Sequence, residues 1–117
     1  MPDTTSKTDC YLRKANSEDI DILFEWVNDE ETRRNSFDMH IITREEHEGW
    51  FERMMNDPKR VQYIFMRENT PIGQIRIDIS ENMGTISYSI DSRERKKGYG
   101  RMIINLIKQK IRDDTQK

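Results

Sequence analysis

The stretch that decides the reading is Asp91-Ser92-Arg93-Glu94-Arg95-Lys96-Lys97-Gly98-Tyr99-Gly100-Arg101, DSRERKKGYGR in one-letter form. It sets five cations and two glycines in eleven residues of a chain whose formal net charge is −2. Just upstream, Ile86, Tyr88 and Ile90 alternate with Thr85, Ser87 and Ser89, the period of a strand. Just downstream, Met102, Ile103, Leu106, Ile107 and Ile111 recur at helical spacing. The charged run therefore joins a strand to a helix. A helix start carries unpaired amide N–H groups at the positive end of the macrodipole, where acidic residues belong. Cations at that place are unfavourable unless an anion binds there. Gly98 and Gly100 lack a Cβ and let the backbone approach a bulky anion, while Arg95, Lys96, Lys97 and Arg101 add charge. The competing reading is a solvated basic turn that uses its glycines only for turn geometry.

Working outward, Val61 to Arg67 and Ile72 to Ser80 are strands separated by the turn Glu68-Asn69-Thr70-Pro71, and Asn82-Met83-Gly84 turns into the strand before the loop. In the middle strand Ile75, Ile77 and Ile79 share one face and Gln74, Arg76 and Asp78 the other. Thr43-Arg44-Glu45-Glu46 is a capping box that opens a helix, with His47, Trp50, Phe51, Met54 and Met55 on one face and a stop before Asn56-Asp57-Pro58. Glu30 to Ile42 has no sustained period and reads as a connection. Ser17 reads as the N-cap of a first helix, with Ile20, Leu23, Phe24 and Val27 on one face. Tyr11 to Arg13 reads as a short strand. Residues 1–9 form a polar tail and residues 10–117 a single domain.

Composition bounds the partners. Apolar residues make up 33% of the 117 and charged ones 36%, and the apolar residues sit in periodic runs, as a folding chain requires. The single cysteine, Cys10, has no internal disulfide partner, and there is no apolar run of about 20 residues, which reads as a soluble cytoplasmic protein. A pI near 5.7 argues against a general binder of nucleic acid or anionic membrane, so any anion site is local. The seven methionines read as gap fillers of the core.

Two phosphate loops are excluded: there is no G-x-x-x-x-G-K-[ST], and the G-x-G lacks a third glycine and a following βαβ unit. Arg95-Lys96-Lys97-Gly98-Tyr99-Gly100 instead resembles the R/Q-x-x-G-x-G/A loop of the GNAT superfamily of N-acetyltransferases. Ile72-Gly73 is similar to that family's opening of its third strand, and YSIDSRERKKGYGRMI to its strand-loop-helix junction. The resemblance implies an α+β fold, a mixed and mostly antiparallel sheet of about four strands with helices on both faces. It also implies acetyl-CoA as cosubstrate, no metal, and a small-molecule amine as acceptor. The implied cofactor residues are Ser89, Ile90 and Asp91, whose strand end pairs with pantetheine, and Arg95, Lys96, Lys97, Gly98, Tyr99, Gly100 and Arg101 around the pyrophosphate. A backbone amide near Ile90 would polarise the thioester carbonyl.

Residues 26–51, WVNDEETRRNSFDMHIITREEHEGWF, are similar to acetyltransferases of nucleotide-linked 4-amino sugars in the pseudaminic acid pathway, and also to those acting on ribosomal protein N-termini. Under the sugar reading, Arg33, Arg34, Phe37 and His47 would meet the substrate, while Trp26 and Trp50 would line a base or sugar surface or belong to the core. The catalytic residue is left open among His47, Asp78, Glu81, Tyr88 and Asp91. The family continues past this point with a further strand, a helix that often carries a tyrosine proton donor, and a hairpin. The expectation is thus a truncated fold in which Thr85 to Ile90 is a sheet edge, covered by a second copy in a homodimer or left in a CoA-binding module without catalysis.

Overall fold

Alternating apolar and polar residues can bury one face of a strand only by pairing, and the period-two runs pair here. In the computed structural model, which describes residues 9–34, 41–81 and 83–115, the strands are β1 (Cys10–Lys14), β2 (Arg60–Arg67), β3 (Thr70–Ser80) and β4 (Met83–Ile90). They form one sheet in the order β1-β2-β3-β4, and each described pairing is antiparallel. The register shifts between Phe65 and Met66, a bulge that leaves Ile72 without a cross-strand partner on β2.

Helices pack on both faces, as the family resemblance implied. On one face Leu12, Tyr63, Phe65, Ile72, Ile75 and Ile90 meet Ile103 and Ile107 of α4 (Tyr99–Thr115). On the other, Ile64 and Met66 of β2 meet Leu23 and Trp26 of α1 (Ile20–Val27) and Phe51 and Met54 of α3 (Arg44–Met55). Consecutive residues Tyr63 to Met66 are all buried because β2 is an inner strand with a core on either side.

Gly73 is fixed by the neighbouring strand. A Cβ at this position would stand 2.7 Å from the Ser89 backbone oxygen, so only a glycine lets β4 lie this close to β3. The Thr43 capping box is present, Thr43 Oγ1 accepting from the Glu46 amide at 3.1 Å and Glu46 Oε1 from the Thr43 amide at 2.8 Å.

Three local expectations change. The first cap is Asn16 and not Ser17, because a single 3-10 turn, Ser17–Asp19, precedes α1; Asn16 Oδ1 accepts from the Glu18 amide at 2.8 Å. Asp19, an acidic residue at a helix start where the dipole would favour it, is instead buried and bidentate to Arg13 at 2.8 Å, tying that turn to β1. Met55 leaves the buried face of α3 and is exposed at the helix end. The connection after α1 contains a short helix, α2 (Glu30–Arg34). β4 is the last strand of the sheet, and Ile79, Met83, Ile86 and Tyr88 near it are exposed.

Candidate cofactor loop and acceptor cavity

The charged loop does leave β4 and enter α4, and its ion pairs divide its cations into two groups. Arg93 bonds Asp91 at 2.7 Å, Arg95 bonds Asp29 at 2.8 Å, and Lys97 bonds Glu94 at 3.2 Å. Arg95 also donates from Nε to the Ile90 carbonyl at 3.0 Å, so this side chain clamps the loop between the end of β4 and the end of α1. Glu94 is itself held by Arg67 at 3.0 Å, and the same Arg67 nitrogen donates to the Tyr99 hydroxyl at 2.7 Å. The Tyr99 ring lies edge-on to Phe65 with centroids 5.8 Å apart. Among the described residues this leaves Lys96 and Arg101, both exposed, without a carboxylate partner. The surplus charge is thus narrower than the sequence suggested, and it sits on either side of Gly98 and Gly100.

The backbone there is shaped for close approach. Gly98 has φ +85°, Lys96 has φ +66°, and no atom lies within 4 Å of where a Gly98 Cβ would be. The first turn of α4 contains no acidic residue, so no carboxylate of that turn offsets the positive end of the helix dipole. A cavity of about 260 Å³ opens at this place, lined by Tyr88, Ile90, Glu94, Arg95, Lys96, Gly98, Tyr99 and Gly100. Glycines, free amides and two unpaired cations fit a diphosphate, and acetyl-CoA would be held here by the Gly98 to Arg101 amides with Lys96 and Arg101.

Asp91 takes a different place from the one the sequence suggested. The residue is 3% exposed, and its carboxylate accepts from Trp26 Nε1 at 2.9 Å and from the Arg93 amide at 2.9 Å. The Arg93 guanidinium above all, then the Trp26 indole, hold its carboxyl well below the usual carboxylate range against the opposing effect of burial. Asp91 is therefore a loop anchor, and its amide is already bonded to the Ile72 carbonyl at 2.9 Å. It is sealed off from proton transfer.

A second cavity, about 550 Å³, lies on the α1/α3 side of the sheet. Its floor is the polar face of the strands, Gln62, Gln74, Arg76, Ser87 and Ser89; its walls include Trp26, Arg33, Glu46, His47, Trp50 and Arg53. Tyr88 lines both cavities. Its hydroxyl stands 3.4 Å from where a Gly100 Cβ would be. The sequence-predicted residues separate accordingly. Arg33 and His47 are on the wall, Tyr88 is at the junction, and Trp26 and Trp50 are at once wall and packing. Arg34 is exposed and paired to Glu30 at 3.0 Å, and it lines neither cavity. Phe37 lies outside the described residues.

Asp78 is paired to Arg76 at 3.0 Å, Glu81 is exposed in the β3–β4 turn at φ 54°, and neither lines a cavity. His47 is 2% exposed, with Nε2 2.8 Å from the Ile20 carbonyl, which makes that nitrogen the protonated one of a neutral ring. Burial pushes its pKa down, against the pull of the Ile20 carbonyl, and its ring is enclosed by Phe24, Trp50 and Phe51. It acts as packing. Arg76 lies over the Trp50 ring at 5.4 Å. Arg53, Gln62 and Ser87 were missed by the sequence reading, and the signal for Gln74 and Arg76 was the polar face of β3, noted there as alternation only.

Among the described residues no cluster of His, Cys, Asp or Glu is placed to hold a metal ion, and no helix is long and apolar enough to cross a membrane. A four-stranded antiparallel sheet with helices on both faces, leading through a glycine-bearing loop into a helix, is the arrangement expected from the resemblance to CoA-dependent acyltransferases. The chain belongs to the acetyltransferase (GNAT) domain family, whose sequence model it matches over residues 9–116, and this makes it an N-acetyltransferase by family. Solved structures agree in fold. The structure of AAC(6')-Ib in complex with paromomycin and acetyl-CoA aligns with a TM-score of 0.76 at 17% identity, over 92% of this chain and 68% of that one. Spermidine N-acetyltransferase from Vibrio cholerae, in complex with CoA and spermine, aligns with a TM-score of 0.72 at 14% identity, over 84% and 60%. An acetyltransferase from Thermus thermophilus gives 0.72 at 15% identity, over 86% and 68%. No curated protein matches the sequence.

Proposed function

We propose that the chain transfers an acetyl group from acetyl-CoA to the primary amine of a small anion-bearing acceptor, an amino sugar on a nucleotide carrier. The observation that carries this reading is the pair of cavities meeting at Tyr88, one at the α4 N-terminus and one whose lining includes Arg33, Arg53 and Arg76, the last ion-paired to Asp78. Arginines in such a wall suit the phosphates of a carrier.

Bound at the loop, acetyl-CoA supplies an activated thioester. The chain's own contribution is to place the neutral amine beside β4, with Trp26, Trp50 and Tyr88 excluding water. As the C–N bond forms and the C–S bond breaks, one proton leaves nitrogen and one reaches sulfur. Of the residues first considered, Tyr88 alone lines both cavities, and its hydroxyl is the group we assign to handing on that proton. The outer edge of β4, with Ile86 and Tyr88 exposed, is where we place the contact with a second copy.

The test is release of free thiol from acetyl-CoA across an amine panel: nucleotide-linked amino sugars, amino sugar phosphates, aminoglycosides, spermidine and N-terminal peptides. Anionic amino sugars should turn over best. No thiol release above the amine-free rate with any member would overturn the reading, and preference for the polycations would overturn its substrate half.

A further inference from the structure

The floor of the larger cavity contains a row of three polar side chains, one each from β2, β3 and β4, joined by hydrogen bonds whose direction the surroundings fix. Gln62 is 4% exposed, and its Nε2 lies 2.7 Å from Gln74 Oε1, 3.2 Å from the Tyr63 carbonyl and 3.3 Å from the Ile75 carbonyl. Three acceptor oxygens around one atom identify that atom as the amide nitrogen, so the orientation of the Gln62 carboxamide is set. Gln74 Oε1 is thereby an acceptor, and Gln74 Nε2 donates to Ser89 Oγ at 3.0 Å. With Oγ accepting, the Ser89 hydroxyl proton is the one left to donate outward. At the opposite end, buried Gln62 Oε1 has no protein partner. All three residues line the cavity.

We propose that the Gln62–Gln74–Ser89 row is a specificity element that selects an oxygen-rich, hydroxylated acceptor over a polyammonium chain. The proposal rests on the reading above that this cavity takes the acceptor. The end of the row that reaches the cavity as a donor is Ser89 on β4, which is half-buried, while the Gln62 oxygen on β2 is fully buried. A hydroxyl or ring oxygen can receive the Ser89 proton. A protonated amine only donates. A polyammonium ligand would therefore leave the Ser89 O–H buried beneath it without an acceptor, the costly half of an unmade hydrogen bond.

Calorimetric titration in the absence of acetyl-CoA tests this with two probes, glucosamine 6-phosphate and spermidine. The sugar phosphate should bind at least about tenfold tighter. Ser89→Ala should weaken it about three- to tenfold, the scale of one neutral hydrogen bond. Ser89→Thr, which keeps the hydroxyl, should restore it, and neither change should move spermidine. The side-chain amide resonances of Gln62 and Gln74 should shift on adding the sugar phosphate and stay still with spermidine. Equal affinity for the two probes, no binding of the sugar phosphate, equal weakening of both by Ser89→Ala, or loss of binding in Ser89→Thr as in Ser89→Ala would overturn the proposal. Absence of thiol release from acetyl-CoA is a separate readout and would fell the acetyl-transfer reading instead.

Discussion

The indole N–H of Trp26 donates to the buried carboxylate of Asp91 at 2.9 Å across 65 positions of sequence. Arg95 spans 66 positions to Asp29 in parallel with it. Together they fasten the β4–α4 loop to the end of α1, so the larger cavity, which Trp26 lines, and the loop share one mechanical frame. Trp26→Phe removes the donor and part of a buried ring, and should cost about 2 to 4 kcal/mol. Urea unfolding measures it; a loss within error would show the tether to be idle.

Acid should weaken the fold in two stages. His47 has its folded pKa lowered by burial, so below its ordinary 6.5 the unfolded chain takes up a proton that the folded chain refuses, and stability declines towards the lowered value. Asp91 has its folded pKa depressed, so its contribution is present above its ordinary 3.8 and is lost as pH falls through the folded value. Thermal midpoints from pH 7.5 to about pH 3 should fall in both ranges. His47→Gln should flatten the upper range alone.

Lys96 holds a left-handed φ of +66° that a lysine adopts at a cost, beside the site where an anion would sit. Lys96→Gly should therefore raise the thermal midpoint by relieving about 1 kcal/mol of backbone strain while lowering affinity for CoA. Calorimetry with CoA and a melting curve on the same sample report the two effects. A drop in both would refute the strain account.

Gly98→Ala meets no atom within 4 Å, so its penalty comes only from φ +85°, about 1 kcal/mol. CoA affinity should fall severalfold as the cradle relaxes, with the circular dichroism spectrum unchanged. Unaltered affinity would reject backbone binding of the diphosphate.

Gly73→Ala acts elsewhere. Its Cβ would press the Ser89 backbone oxygen at 2.7 Å and drive β4 from β3, a loss of about 1 to 3 kcal/mol. Amide hydrogen exchange should rise across β4 and hardly at all in β1.

Much of the chain was legible as a linear pattern. The apolar run of β2, the alternation in β3 and β4, the Thr43 capping box and the apolar stripe of α4 each depend on neighbours within about seven residues, and each element forms where it was expected, although β3 and β4 begin two residues earlier and Ile111 at the end of the stripe is exposed. The loop motif of residues 95 to 100 carried the family. The side-chain roles were less legible. Arg95, Lys97 and Tyr99 lie in that motif, yet their side chains serve Asp29, Glu94 and Arg67. Charge in a sequence has no address until its counter-charges fold around it.

The sequence by itself determined the order of elements, because periodicity and capping act locally along the chain, and the resemblance of its 95 to 100 loop pointed to the GNAT acetyltransferase family that the family match shows. Only the tertiary structure decided that Asp91 anchors rather than reacts, that His47 packs as a neutral ring, and that Gln62, Gln74 and Ser89 form one directional row. Those outcomes depend on burial and on contacts between residues far apart in sequence, where desolvation and hydrogen-bond geometry choose among roles that the residue types alone leave equal.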